Sequence, residues 1–290
     1  YWTLDPNGSE ISVETGRQAE AVARHYYSPG GAGNVAANVM ALQPKNVRAI
    51  GVIGDDMHGR ELARQLLNLG LDNSGIIQQI EQFDTYAFNK KYLEGDEATR
   101  TDFGVYNQRS AATDEQLLQH LRQALEQTDV LIFNQQIPGC LNRPEFLAAV
   151  NELFAEFKHK IVLLDSRHYT EEFRDVYLKL NEIEVARLAG SEVGYQDFVP
   201  LTKVEEYGRA VFERYQKPVF ITCGRRGIMA IDQDGVSKVP GIQLHGNLDT
   251  VGAGDTVLGA IALALGAGFN TKEAITFANF AAAVSIQKVQ

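Results

Sequence analysis

The chain has 290 residues, of which 44% are hydrophobic, and this content supports a full apolar core and excludes a disordered chain. The formal net charge is −10 and long basic runs are absent, so nucleic acid and anionic membranes are not expected partners. Cys140 and Cys223 have neither metal-type nor CxxC spacing, and the sequence shows no signal peptide or twenty-residue apolar span. These features together predict a soluble, cytoplasmic protein.

Two segments near the beginning of the chain predict a small antiparallel sheet outside the main fold. The turn formers Asp5 to Gly8 precede the β-prone residues Ile11 to Val13, which is the pattern of a hairpin. Aromatic and polar residues then alternate loosely over 76–108, as in antiparallel strands. We expect 1–16 and 80–108 to form a β lid over a site.

The remainder of the chain alternates apolar strands with helices of amphipathic spacing. The predicted helices are 33–42, 59–69, 114–127, 143–158, 203–215 and two helices after 252. The predicted strands are 47–53, 129–133, 160–165, one that ends at Asn181, 218–222 and 228–232. Such alternation predicts a parallel sheet covered on both faces, and we expect residues 1–290 to form a single α/β domain with its lid.

Residues 248–256 read LDTVGAGDT and carry the most specific chemical information in the chain. An apolar run follows and predicts a buried helix, so the N–H groups of Gly252, Ala253 and Gly254 form an anion site at its beginning. Asp255 places a carboxylate beside that site, where it can accept the proton of an attacking hydroxyl. This combination fits transfer of a phosphoryl group to an alcohol. The alternative is a helix N-terminus whose acidic residue only stabilises the dipole.

Four further segments accompany this one in a fixed order: PGGAGNVA at 29–36, GVIGDD at 51–56, NEIE at 181–184 and TCGRRG at 222–227. In content and order, over nearly the whole chain, they resemble the PfkB (ribokinase-type) carbohydrate kinases. The resemblance implies a ribokinase-like three-layer sandwich with a mostly parallel sheet and a small β lid. It also implies a phosphotransferase that uses ATP and Mg²⁺ and has a sugar hydroxyl as acceptor.

Within this family, three features resemble the heptose 7-phosphate kinase domain of ADP-heptose synthesis enzymes. They are the Tyr1-Trp2 start, the PGGAGNVAAN run over 29–38 and RTDF over 100–103. The strand with which the family opens its sheet, which normally carries an acidic residue that contacts the sugar, is missing before Tyr1. We expect either that the chain is trimmed or that its numbering starts inside a longer parent protein, and nothing that resembles an adenylyltransferase domain follows in the sequence.

The resemblance assigns several residues to the nucleotide. Asn181 and Glu184 are expected to hold Mg²⁺, largely through water, which agrees with the tendency of that ion to keep its waters. Taken alone, Glu184 is typical of a solvated helix residue. Asn279 is expected near the adenine, with an ordinary helix-surface position as the alternative. The nucleotide-binding residues implied are Asn181, Thr222, Gly224, Gly227 and Asn279.

A second group is implied for the acceptor. The glycines of the group permit close backbone approach, and its asparagine offers both a donor and an acceptor to hydroxyl groups. The substrate-binding residues implied are Gly30, Gly31, Asn34, Arg100, Asp102 and Arg167. For Arg100 and Asp102, exposed charge on the lid is the alternative. Heptose phosphate kinases read Asp-Pro-Lys where this chain has Asp165-Ser166-Arg167, so the positive charge is kept with a different geometry.

The sequence therefore predicts an ATP- and Mg²⁺-dependent kinase of a sugar or sugar phosphate, with a heptose 7-phosphate as first choice. One alternative is a kinase of another acceptor, such as a neutral sugar, a ketohexose phosphate or a nucleoside. Another is a non-catalytic sugar-binding homologue. A lid with an unpaired edge and an apolar outer face further predicts a homodimer through 1–16 and 80–108, with a monomer as the alternative.

Overall fold

The computed structural model describes residues 1–139, 141, 143–194, 196–246 and 248–287. The strands are β1 (Trp2–Asp5), β2 (Ala21–His25), β3 (Arg48–Gly54), β4 (Asp72–Gln79), β5 (Ala87–Leu93), β6 (Asp96–Phe103), β7 (Val130–Gln135), β8 (Ile161–Ser166), β9 (Tyr177–Asn181), β10 (Val219–Thr222), β11 (Ile228–Asp232) and β12 (Gly235–Val239). The helices are α1 (Gly30–Ala41), α2 (Met57–Asn68), α3 (Ala111–Gln127), α4 (Pro144–Glu156), α5 (Glu182–Leu188), α6 (Leu201–Tyr215), α7 (Ala253–Gly266) and α8 (Thr271–Ser285).

The main sheet has the strand order β12-β11-β10-β9-β8-β7. Strands β7 to β10 run parallel, whereas β11 and β12 are antiparallel additions at one edge. Side chains alternate between the two faces, as the pleat requires. Leu163 of β8 belongs to the core under α1, α7 and α8, while its neighbour Leu164 belongs to the core under α3 to α6. The architecture is the three-layer α/β sandwich that the sequence predicts.

A second parallel sheet contains only β3 and β4. Helix α3 contacts both of these strands and also β7, so the two parallel sheets share a covering helix. Ile50 and Val52 of β3 pack against the same core as Leu131 and Phe133 of β7. Within the described residues, however, β3 pairs only with β4 and β7 only with β8. The edges at β3 and β7, which share the covering helix α3, are therefore both without a strand partner in the described part of the chain.

The lid is a four-stranded sheet with the order β2-β1-β5-β6. Its second half is the predicted antiparallel hairpin, whereas the expectation for the first half was wrong. The partner of β1 is Ala21–His25 rather than Ile11 to Val13, which lies in an exposed turn region. The turn at Pro6–Gly8 and the loop after it carry the chain past Val13. Tyr1 then stacks on Tyr26 with ring centroids 4.5 Å apart, which contributes to this register.

Candidate active site

The site lies at the carboxyl ends of the parallel strands, on the face that packs against α7. On that face Ile132, Leu163, Tyr177 and Phe220 form the last layer of the core. Because side chains repeat every second residue along a strand, the next position on each strand points the same way. Those positions hold the polar residues Asn134 in β7, Asp165 in β8, Lys179 in β9 and Thr222 in β10.

The strand register brings these polar residues into one row. Asn134 is the direct neighbour of Asp165, and Thr222 is the direct neighbour of Asn181. Leu164 pairs with Leu178, so Asp165 and Lys179 are the next neighbours along that pair of strands. The fold thus collects one polar side chain from each parallel strand at a single edge, which is where ligands gather in open α/β sheets.

The loop before α7 has unpaired backbone donors where the sequence predicts an anion site, with one difference from the prediction. Gly252 adopts the left-handed conformation (φ 77°) at the N-cap, a conformation that favours glycine. The N–H group of Ala253 donates to the carbonyl of Thr250 at 3.2 Å, so this predicted donor is engaged within the turn. Among the described residues, the N–H groups of Gly252, Gly254 and Asp255 have no acceptor in the chain. The loop therefore directs three backbone donors outward, although not the three predicted.

Asp249 holds this loop in place. Its Oδ1 accepts a hydrogen bond from the Val251 N–H at 2.9 Å, and its own N–H donates to the Ile286 carbonyl at 2.9 Å. Asp249 thus caps a backbone N–H group of the loop. The side chain of Asp249 acts on the geometry of the loop.

Asp255 follows on the first turn of α7 and is partly buried. Burial, and after it the nearby carboxylate of Asp165, raise the pKa of Asp255 to about 6. The charges of Lys179 and Arg167 and a hydrogen bond from Asn34 act in the opposite direction. A carboxylate with a pKa close to neutrality is well suited to accept a proton from an alcohol during catalysis.

Lys179 is a site residue that the sequence analysis missed. It is 7% exposed, and its Nζ lies 3.0 Å from Oδ2 of Asp165, which is 6% exposed. A Cβ atom placed on Gly254 would lie 3.5 Å from the same Nζ, so the ammonium group is beside the anion loop. Among the described residues this is the one lysine that is nearly fully buried. A lysine inside the apolar run of β9 is the signal that could have revealed it, since buried lysines are rare unless paired.

Asn181 and Glu184 form a reciprocal capping box at the beginning of α5. Asn181 Oδ1 accepts from the N–H groups of Ile183 and Glu184 at 2.9 and 2.8 Å, and Glu184 Oε2 accepts from the Asn181 N–H at 2.7 Å. Burial raises the pKa of Glu184, while this hydrogen bond and the charge of Lys179 lower it. The NxxE pattern thus has a structural role, and Asn181 is also the direct strand neighbour of Thr222 in the polar row.

The predicted nucleotide segment forms the tight turn between β10 and β11. Gly224 and Gly227 both have positive φ (55° and 101°), and a Cβ on Gly227 would overlap the Val239 carbonyl oxygen. Asn279 is 8% exposed and donates from Nδ2 to the Pro240 carbonyl at 3.0 Å. The structure thus places Asn279 in a buried contact between α8 and the chain after β12, in contrast to the surface alternative.

The predicted acceptor residues Gly30, Gly31 and Asn34 lie at the beginning of α1. A Cβ on Gly31 would lie 3.8 Å from Asn134 Oδ1 and 3.8 Å from Gln136 Cγ, so the glycine pair faces the end of β7. Asn34 hydrogen-bonds to Asp255 and also accepts from Ser28 Oγ at 3.0 Å. Asn134 and Gln136 are therefore two further polar side chains at this end of the site that the motifs did not indicate.

The three predicted charged residues of the acceptor site are in different situations. Arg167 is exposed directly after β8, and its charge acts on both Asp255 and Glu184. Arg100 and Asp102 lie on β6 of the lid and pair with each other through hydrogen bonds of 2.6 and 2.7 Å. The Arg100 guanidinium also stacks 4.5 Å above the Phe88 ring. The contacts described for Arg100 and Asp102 remain within the lid, whereas Arg167 follows β8 two residues after Asp165 of the polar row.

Comparison with known proteins defines the class of the molecule. The pfkB family of carbohydrate kinases matches residues 5–290, and the chain therefore belongs to this family. It is a phosphotransferase that acts on a sugar hydroxyl, and the family uses ATP as donor.

Individual relatives agree with this assignment. The chain is similar to the bifunctional protein HldE of Wolinella succinogenes (31% identity over 281 residues) and to that of Geobacter metallireducens (28% over 285 residues). These matches cover 96% of this chain but 57% and 56% of the two relatives, so the chain spans somewhat more than half of their length.

Solved structures show the same fold. Ribokinase from Thermotoga maritima matches with a TM-score of 0.70 at 22% identity, covering 100% of this chain and 89% of that chain. Phosphofructokinase-2 from Escherichia coli in complex with fructose-6-phosphate matches with a TM-score of 0.71 at 17% identity, covering 99% and 90%. The fold is ribokinase-like, as the sequence predicts. Within the described residues, no helix is both long and apolar enough to cross a membrane.

Proposed function

We propose that the chain transfers the γ-phosphoryl group of ATP to a hydroxyl group of a sugar phosphate, with a heptose 7-phosphate as first choice. The observation that carries this proposal is the position of Asp255 on the first turn of α7, beside three outward-facing backbone N–H groups. These donors would stabilise the charge of the moving phosphoryl group, and the carboxylate of Asp255 would accept the hydroxyl proton.

The acceptor would lie between the beginning of α1 and the carboxyl end of β7. Gly31 leaves room there, and Asn34, Asn134 and Gln136 offer amide donors and acceptors to sugar hydroxyl groups. Arg167 is exposed on the same side and would contact the phosphate of the acceptor as a planar, permanently charged group. The preference for a heptose 7-phosphate follows from the resemblance to heptose 7-phosphate kinase domains and from the similarity to HldE proteins.

The nucleotide would extend from the anion loop across Asn181 and Thr222 towards the turn at Gly224 and the region of Asn279. Within the described residues, there is no cluster of three or more acidic, histidine or cysteine side chains that could hold a metal by itself. One oxygen of Glu184 is already engaged with the Asn181 N–H. This donor set fits Mg²⁺ carried by the nucleotide phosphates, with Glu184 contacting its waters, because Mg²⁺ needs few protein ligands. The metal would neutralise phosphate charge when bound.

A second acceptor class is favoured by the chemistry at the end of β7. Asn134 and Gln136 are uncharged, and the Nδ2 atom of Asn134 is buried without a hydrogen-bond partner. An amide donor in this position suits a hydroxyl group of a neutral sugar as well as one of a sugar phosphate. A kinase of a neutral sugar is therefore the alternative function.

We further propose that the lid closes over the acceptor and pairs with the lid of a second copy. Its outer strands β2 and β6 are exposed over most of their length. Val22, Phe88 and Leu93 add apolar side chains that are between 39% and 46% exposed. Pairing of two lids would cover exposed strand edges and this apolar surface.

The domain organisation proposed is a single kinase unit whose parallel sheet is completed by a further strand between β3 and β7. The support is the unpaired edge on each of these strands and the helix that covers both sheets. A longer form of the chain, or an added apolar strand peptide, should raise the melting temperature if such a strand inserts. An unchanged melting temperature would argue against it.

The decisive experiment for the function is ATP consumption measured over a panel of acceptors with Mg²⁺ present. The panel contains a heptose 7-phosphate, fructose 6-phosphate, neutral hexoses and pentoses, and nucleosides. Turnover restricted to the heptose 7-phosphate supports the first choice, and turnover with a neutral sugar supports the alternative. ATP binding without turnover of any acceptor, in a form that carries the inserted strand, would contradict both and favour a non-catalytic binding protein.

A further inference from the structure

Lys179 occupies a position that ordinary packing does not explain. It lies in β9 between Leu178 and Leu180, which are 0% and 2% exposed, and Lys179 itself is 7% exposed. Burial of an ammonium group is unfavourable unless it is paired. Its described ion pair is with Asp165, and that bond uses one of the three donors of the ammonium group.

The surroundings of this ammonium group are acidic, and they open towards the anion loop. Asp165 is in direct contact, and the charge of Lys179 also acts on Asp255 and Glu184. Three carboxylates at a place built to receive a polyanion would repel it if no buried cation stood among them. Arg167 is a second cation whose charge acts on Asp255, and it is exposed to solvent.

The distance to the loop shows what the remaining donors can contact. The Nζ atom is 3.5 Å from the place where a Cβ of Gly254 would stand, and Gly254 contributes one of the outward-facing N–H groups. An oxyanion bound by that N–H group therefore lies within reach of the ammonium group. Lysine serves as a compact point charge for phosphate in such sites.

We propose that Lys179 contacts the phosphate oxygens of the nucleotide above Gly254, and that Asp165 holds its ammonium group in that position. This inference rests on the proposed kinase function and adds a phosphate-contacting residue to it. Asp165 is accordingly a positioning residue, which acts through Lys179. The competing explanation is that the two residues form an ion pair that only stabilises the sheet.

The test measures the binding of ATP and of inorganic tripolyphosphate by calorimetry to the wild-type chain and to three variants. Lys179→Met removes the cation, and the double variant Asp165→Asn/Lys179→Met removes both charges of the ion pair, so that Asp165 is not left as a buried carboxylate without its partner. Lys160→Met is the matched control, because Lys160 is a partly buried lysine that donates to the Thr128 carbonyl just before β8, at the opposite end of that strand.

We expect both Lys179 variants to bind ATP and tripolyphosphate about tenfold more weakly or worse, which is the effect of one charge-assisted hydrogen bond. Lys160→Met should remain within about twofold of the wild type. If Lys179→Met does not fold, the double variant decides alone. A folded double variant that binds both ligands as tightly as the wild type overturns the inference and leaves the kinase proposal intact. A wild-type chain that binds neither ligand overturns both.

Discussion

Replacement of Asp255 by asparagine should have opposite effects on activity and on stability. The amide keeps the shape of the side chain and cannot act as a base, so kcat should fall by about 10²-fold or more. Because the anion loop is unchanged, the affinity for nucleotide should change little. In the wild type, kcat/KM should rise about tenfold between pH 5 and pH 7, because a base with a pKa of about 6 loses its proton in that range.

The expected gain in stability follows from the same pKa. It stands at about 6 in the folded chain against 3.8 for an ordinary aspartate, so the folded state binds the proton more tightly than the unfolded state. The wild type therefore loses stability as the pH rises through this interval, and the loss is complete above the folded pKa. A difference of about two pKa units corresponds to an upper value of about 3 kcal/mol at pH 7.5. Asp255→Asn lacks this cost.

Thermal unfolding at pH 7.5 and pH 4 tests the reasoning. At about 2 °C per kcal/mol for a domain of this size, the variant should melt up to about 6 °C above the wild type at pH 7.5 and close to it at pH 4. Asp234→Asn, which makes the same charge change in an exposed turn, should show neither effect. Turnover near the wild-type value would refute the base, and equal melting at pH 7.5 would refute the argument from burial.

Three further predictions use pairs of related positions or a single surface. Asn181→Ala and Asn270→Ala each remove the N-cap of a capping box and should each cost about 1 kcal/mol in urea unfolding. Only Asn181→Ala should also raise the Mg²⁺ concentration needed for turnover, and an equal Mg²⁺ requirement in both variants would leave Asn181 with a capping role only. Gly227→Ala should destabilise the chain by more than about 3 kcal/mol, and Gly224→Ala by about 1 kcal/mol, because only the first adds a steric overlap to the strain of positive φ; similar losses would contradict this. In sedimentation at micromolar concentration the chain should be a dimer that Phe88→Asp weakens, and a single species of 32.0 kDa would contradict the pairing of lids.

Much of the main fold could be predicted because its strands and helices have clear apolar periodicity and end at recognisable capping or turn residues. The helix predicted over 59–69 is α2, and Gly70 directly after that range has a positive φ (83°), the conformation in which glycine commonly ends a helix. The capping box at the beginning of α8 also has a sequence signature, an asparagine followed by a glutamate three residues later, and both of its hydrogen bonds are present. The predicted and observed helix boundaries differ by a few residues, because helix ends fray.

The edges of the sheets were harder to predict from local pattern. Strand β12 is short and half-polar, and β2 is exposed along most of its length, so neither has a strong alternation of apolar residues. Strand β12 forms by pairing with β11 across a short turn, and β2 forms by pairing with β1. Residues 76–79 were included in the segment predicted to form antiparallel strands, whereas they belong to β4, which pairs in parallel with β3.

The residues of the candidate site likewise fall into two groups, those that a local motif predicts and those that it does not. The anion loop, the capping residues Asn181 and Glu184, and the glycine pair could be found because each depends on a local motif. Lys179 and Asn134 could not, because they reach the site only through the register of distant strands. Ala253 shows the converse limit, since the motif does not reveal which N–H groups the turn itself uses.

The polar row on the face of the main sheet that packs against α7 has a consequence for how such a kinase can diversify. Its residues come one from each strand, and each stands on its own column of core side chains. In the proposed arrangement, β7 serves the acceptor and β10 serves the donor, with the Asp165–Lys179 pair between them. Substitution at Asn134 can therefore change the preferred sugar without altering the surface that receives the nucleotide. Selection can explore new substrates from one side of the sheet while the phosphate chemistry on the other side is inherited unchanged.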